Sequence, residues 1–166
     1  MPDQSLQERY APDSICFGCG PANPEGLHIR SFAASDLGAD PDAGKDGSEC
    51  VCDWTPSPHH DAFPGTLNGG MIGTLMDCHS NWTAARHLMR QAGATKAPTT
   101  VTADYHVRLR KPTPSDRPVH VRAWVVESTA DRATIDAEMS SGGVVTATCR
   151  GLFVAVRPGH PAYERW

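Results

Sequence analysis

The chain has 166 residues, of which 39% are hydrophobic and 20% charged, with a formal net charge of -4. This composition predicts one folded domain with a sizeable core and excludes the low-hydrophobicity, high-charge regime of disordered chains. A pI near 6.0 argues against a general nucleic-acid binder, and no apolar run reaches the ~20 residues of a membrane span.

The N-terminus shows no basic-then-apolar order of the kind found in secretion signals, so we expect a cytoplasmic protein with no membrane partner. Six cysteines stand at positions 16, 19, 50, 52, 78 and 149. Without a secretory context we expect reduced thiols.

The first 26 residues contain four prolines and no sustained periodicity, which predicts an irregular arm packed on the domain. Residues 27–158 form the expected domain, and residues 159–166 a C-terminal tail. Alternation predicts strands over residues 27–32 and 50–54. Turn-forming and polar residues predict loops over residues 36–48 and 56–65.

Helical spacing of apolar residues then predicts one long buried helix, closed off by Gly93 and Pro98. The residues at this spacing are Leu67, Met71, Leu75, Cys78, Trp82 and Ala85.

Four strands are predicted after the helix. The first alternates Val101, Ala103, Tyr105, Val107 and Leu109 with Thr102, Asp104, His106, Arg108 and Arg110. The whole order is most simply satisfied by an α+β fold in which an antiparallel sheet wraps around the long central helix.

The start of that helix carries the main functional signal. Asn68-Gly69-Gly70 lets the backbone approach a ligand closely, and a helix N-terminus offers unpaired N–H groups to a developing anion. Seven residues after Gly70, the same helix presents Asp77, a candidate general base.

The segment Gly65–Gly70 with Thr74-Leu75-Met76-Asp77 resembles the hotdog-fold thioesterases of the PaaI type, and residues 16–27 resemble a leader found in one branch of them. The resemblance implies a hotdog fold, acyl-CoA hydrolysis without a cofactor or metal, and homodimers that often form tetramers. Many relatives carry histidine at the position of Asn68, but an amide can also polarise a carbonyl, with the Gly70 N–H as a second donor.

Helix geometry adds a constraint of its own. Gly70 and Asp77 are separated by a rise of roughly 10 Å on a straight helix, so they cannot both touch one thioester carbonyl. If both serve one reaction, donor and acid come from different subunits, which places the active site across a two-fold dimer interface.

Further candidates for substrate binding surround this motif. A basic cluster could hold the coenzyme A phosphates, His60 could line the substrate entrance, and two polar helix residues could orient Asp77. With Gly69, these substrate-binding candidates are His60, Thr74, Asn81, Arg108, Arg110 and Lys111.

Three alternatives remain open from the sequence. One is a hotdog hydratase or dehydratase for enoyl or hydroxyacyl thioesters, which would need a histidine paired with an acid. The second is a non-catalytic module that binds acyl thioesters in the same groove. The third is a small interaction protein with structural zinc held by Cys16, Cys19, Cys50 and Cys52.

Overall fold

The computed structural model describes residues 3–38 and 47–166. Two α-helices are found in these ranges: α1 covers Leu6–Tyr10 and α2 covers Gly69–Gln91. The eight strands are β1 Phe32–Ala33, β2 Cys50–Trp54, β3 Asp61–Phe63, β4 Thr66–Leu67, β5 Thr100–Leu109, β6 Val119–Ser128, β7 Arg132–Ser141 and β8 Val144–Ala155. No helix in the described part of the chain is long and apolar enough to cross a membrane.

Six strands form one antiparallel sheet in the order β1-β2-β6-β7-β8-β5, while β3 and β4 form a separate hairpin. The sheet packs on α2 through its concave face, where Ile135, Met139 and Phe153 are fully buried. These residues alternate with exposed or half-buried neighbours, as a half-buried sheet requires. The predicted sheet around a long central helix is therefore confirmed.

The N-terminal half of the chain departs from several predictions. The expected strand over residues 27–32 is wrong, because only Phe32 and Ala33 pair with β2. The expected irregular arm contains α1, which is stabilised by a capping box between Ser5 and Glu8. Local periodicity misses both features, since one depends on long-range pairing and the other is only five residues long.

The two predicted loops also contain structure. A 3-10 helix covers Ala34–Leu37, at the start of the loop predicted for residues 36–48, and residues 39–46 lie outside the described ranges. In the second loop, a 3-10 helix at Pro58–His60 leads into the β3–β4 hairpin, whose turn uses Gly65 at a φ of 80°. This hairpin connects directly to α2.

The N-terminal part of the chain packs against α2 and β2. Gln7 donates to the Ser31 hydroxyl (2.9 Å), and that hydroxyl bonds Nδ1 of the fully buried His79 on α2 (2.8 Å). His79 Nε2 bonds the Cys50 carbonyl (3.1 Å), and burial lowers the His79 pKa to about 4. His79 is therefore a neutral core residue that ties the arm, α2 and β2 together.

Candidate functional site

Asn68 is the N-cap of α2. Its side-chain Oδ1 accepts a hydrogen bond from the Gly70 N–H at 2.7 Å, and its backbone N–H donates to the His60 carbonyl at 3.0 Å. Capping satisfies one of the helix's unpaired donors and orients the carboxamide. The Asn68 NH2 group is left as a donor for a ligand, whereas the Gly70 N–H becomes available only when the Asn68 side chain rotates away.

His60 lies beside Asn68 and lines the same cleft. Its Nδ1 accepts from the Ser57 N–H (2.9 Å), and its ring packs on Trp54 with centroids 4.9 Å apart. Burial and the neighbouring His59 lower the His60 pKa. The neutral ring therefore carries its proton on Nε2 and can serve as a hydrogen-bond donor.

A cleft of about 610 Å³ joins these two side chains to the arm. It is lined on one side by Asn68 and Met71 of α2, and on the other by Phe17 and Leu27. This volume is in the usual range for small-molecule sites. Polar and charged side chains, among them Glu25 and Asp61, outnumber the apolar ones in its lining.

Asp77 faces a different neighbour, the edge strand β5. Thr102 donates a hydrogen bond to Asp77 Oδ1 at 2.7 Å. Burial raises the pKa of the half-buried Asp77 carboxyl, and the Thr102 bond opposes part of that increase. A carboxyl group with a raised pKa in a partly open position has the properties of a general base.

Thr102 was missed by the sequence argument because β5 contains a β-bulge. Its register with β8 shifts between Thr102 and Asp104, so Thr102 lies on the same face as Tyr105. The predicted alternation is therefore wrong in the first half of the strand, where Val101 pairs with the outward-facing Val154.

The two polar residues predicted to orient Asp77 have other partners. Thr74 donates to the Gly70 carbonyl (3.1 Å), while Asn81 bonds the backbone and hydroxyl of Thr100. The prediction that they orient Asp77 is wrong. The Thr74 hydroxyl bonds a carbonyl of its own helix, and the Asn81 amide bonds β5. Thr102 takes the orienting role.

An i, i+4 row on α2 runs along β5. Gly69 and Gly73 approach Leu109 and Tyr105, and Asp77 follows in the same row against Thr102. Tyr105 and Leu109 remain 45% and 59% exposed, although they lie on the helix-facing side of the edge strand. The seam beside Asp77 is therefore open and apolar.

The predicted basic cluster is divided between two faces. Arg108 pairs with Thr148 in the β5–β8 ladder and lies with His106 and Arg150 on the convex face of the sheet, away from α2. Lys111 lies near the start of α2, in a cleft that also contains Gly69. Arg110 borders both clefts.

Three of the six cysteines form a group that we call the cysteine cluster: Cys16 and Cys19 of the arm and Cys78 of α2. Their sulfur atoms all lie within 4.8 Å of one another. Cys50 and Cys52 are buried on β2 and are not part of it. The four-cysteine zinc set considered from the sequence is therefore wrong, because the partner of the Cys16–Cys19 pair comes from the helix.

Comparisons with known proteins give one family match for this chain. A family model described as the thioesterase-like superfamily matches residues 61–159, which include the α2 start, Asp77 and β5 to β8. No curated protein matches the chain.

Solved structures are similar in fold. A thioesterase superfamily protein from Shewanella loihica PV-4 is 24% identical over 66% of this chain and 85% of its own, with a TM-score of 0.57. Another thioesterase superfamily protein covers 93% of this chain and 68% of its own at 18% identity and a TM-score of 0.62. A Ralstonia eutropha JMP134 protein described as a phenylacetic acid degradation-related putative thioesterase is 17% identical over 74% of this chain and 88% of its own, with a TM-score of 0.57. These likenesses confirm the hotdog fold.

Proposed function

The chain belongs to the thioesterase-like superfamily, and from this premise we propose that it hydrolyses an acyl-CoA thioester to a carboxylic acid and free coenzyme A. The observation that carries the proposal is Asp77, a half-buried carboxyl group with a raised pKa, held by Thr102 next to an open apolar seam. Hydrolysis needs a base that water can reach and a donor for the carbonyl oxygen.

In this proposal, the Asp77 carboxylate takes a proton from water while the water oxygen attacks the thioester carbon. The C=O electron pair moves onto oxygen, where the Asn68 NH2 group stabilises it. The intermediate collapses by breaking the C–S bond, and the leaving thiolate takes up the proton held by Asp77, which restores the carboxylate. An attack by Asp77 itself on the carbonyl is the less favoured variant of the same reaction.

Donor and base are proposed to come from two chains. α2 is unbroken from Gly69 to Gln91, so Gly70 and Asp77 keep the rise of roughly 10 Å expected of seven helical residues. The exposed edge strand β5, with its apolar Tyr105 and Leu109, supports a homodimer in which a second copy covers this seam. In such a dimer Asn68 of the partner subunit would reach the Asp77 seam, and pairs of dimers could form the tetramers expected from the resemblance.

Coenzyme A phosphates would bind near the start of α2. Lys111 is the basic residue best placed for this, since it borders a cleft with Gly69, and Arg110 lies at the same edge. The convex-face position of Arg108 makes it a weaker candidate.

The decisive experiment compares Asp77→Asn with a matched control in a thiol-release assay against short, long and aromatic acyl-CoAs. Asparagine keeps the size of the side chain and can still accept from Thr102, so the fold should be kept. We expect kcat/KM to fall about 10²–10⁴-fold, the usual contribution of a general base. The matched control is Asp104→Asn, which changes an exposed carboxylate on β5, the strand that carries Thr102. This variant should leave the rate unchanged.

Near-normal turnover by Asp77→Asn would overturn the mechanism. If the wild-type protein binds acyl-CoA tightly and releases no free thiol, the non-catalytic binding module replaces the hydrolase. Water addition to an enoyl-CoA without thiol release would instead indicate the hydratase.

A further inference from the structure

The cysteine cluster joins two parts of the chain that are far apart in sequence. Cys16 and Cys78 are 62 positions apart, yet their sulfur atoms are 3.9 Å from each other. Two sulfur ligands of a tetrahedral zinc ion, each about 2.3 Å from the metal, are about 3.8 Å apart. The observed separation therefore matches one edge of a zinc–thiolate tetrahedron, and no S–S bond is formed.

The arm has the local shape of a metal-binding knuckle. The Gly20 N–H donates to the Cys16 carbonyl at 2.8 Å, which closes a tight turn over residues 16–20. A side chain at Gly18 would collide with the Cys78 sulfur, and one at Gly20 with the Cys16 backbone. Both glycines are thus required for the turn that directs the two arm thiols at α2.

A buried indole borders the cluster. Trp82, one turn after Cys78 on α2, lies beside the Cys19 thiol.

The three sulfur atoms of the cluster are close enough to bind one ion together. All of them lie within 4.8 Å of one another, and thiolates at such distances repel each other unless a cation lies among them.

We propose that Cys16, Cys19 and Cys78 bind one zinc ion, or a similar thiophilic divalent ion, with the fourth position open to solvent on the exposed Cys16 side. Three deprotonated thiolates then share one cation, and the ion pins the arm to α2 next to the cleft that Phe17 and Leu27 line. Asp77 is not one of the ligands, although it directly precedes Cys78 on α2.

Metal content of the full chain, purified under reducing conditions with zinc supplied, tests the proposal. We expect one zinc per chain. Cys19→Ala and Cys78→Ala should each weaken zinc binding by more than the roughly 10–100-fold that losing an outer hydrogen-bond partner costs. Cys52→Ala, which removes an equally buried thiol outside the cluster, should keep full occupancy.

Two measurements on the unmodified chain keep the test decisive if a variant fails to fold. Cobalt replacement should give the visible bands of a tetrahedral ion with thiolate charge transfer, and zinc should protect Cys16 from alkylation in peptide mapping. The proposal is overturned by a chain that binds no zinc while Cys16 alkylates at the same rate with and without it. A Cys16–Cys78 or Cys16–Cys19 disulfide that persists in reductant, or equal zinc in the Cys78→Ala and unmodified chains, would also overturn it.

Discussion

Two inactive variants are expected to restore activity to each other when they form a mixed dimer. Asp77→Ala removes the proposed base, and Asn68→Asp removes the proposed carbonyl donor. Aspartate is chosen at position 68 because its carboxylate can still accept the Gly70 N–H, as Asn68 Oδ1 does at 2.7 Å. The helix cap, whose loss would cost about 1 kcal/mol, is therefore kept.

The expected rate of the mixed dimer follows from the helix geometry and from two-fold symmetry. Asp77 is nine residues from Asn68 along the helical path, a rise of roughly 13 Å, whereas both groups must lie about 3 Å from the reacting atoms. Each site of the dimer then takes Asn68 from one chain and Asp77 from the other. A mixed dimer keeps one of its two sites intact, so its rate should be about half that of the unmodified dimer.

Two affinity tags allow the mixed dimer to be purified after co-expression, and thiol release from an acyl-CoA gives its rate. The two variant homodimers should each lose about 10²-fold or more. The control pairs an unmodified chain with the double variant Asp77→Ala/Asn68→Asp. That dimer should be inactive if the sites are shared, and half active if each chain holds a complete site. Activity in this control, with none in the mixed single variants, would refute the shared site.

Three further outcomes follow from the same geometry. Because burial raises the folded-state pKa of Asp77 above its usual 3.8, the native state loses stability as pH rises from 3.8 through that pKa. Asp77→Asn should therefore be more stable than the unmodified chain at pH 7.5 in urea unfolding, and this gain should vanish below pH 3.8. The hydrogen bond from Thr102 holds the Asp77 pKa down, so Thr102→Val should raise that pKa and move the acidic limb of the pH–rate profile to higher pH. Thr102→Ser should restore the profile. Leu109→Asp on β5 should convert the proposed dimer to inactive monomers in sedimentation, whereas Val126→Asp, at an exposed apolar residue of β6, should leave that dimer intact.

The helix and the later strands could be predicted because their signals are local. Apolar spacing over α2 and alternation over β7 and the first half of β6 reflect burial against a single core. The Asn68 cap and the helical position of Asp77 followed from the same pattern, so the two ends of the proposed site were predictable.

Features that depend on contacts between distant segments were not predictable. The bulge between Thr102 and Asp104 is set by pairing with β8, and it alone brings Thr102 to Asp77. Likewise, Cys78 reads as an apolar helix residue until the arm folds back and places Cys16 beside it. Periodicity describes which face a residue takes, but not which segment will cover that face.

The seam between α2 and β5 links positioning of the base to assembly. Gly69 and Gly73 have no side chains, so the first residue of their row that can reach β5 is Asp77. β5 holds that carboxylate through Thr102 and exposes Tyr105 and Leu109 further along the same helix-facing side. A second chain that covers these two residues would remove water from the seam and raise the Asp77 pKa further, because burial already dominates its shift. Dimer formation is therefore expected to tune the base as well as to supply the donor, and dilution to monomers should move the Asp77 pKa back toward 3.8.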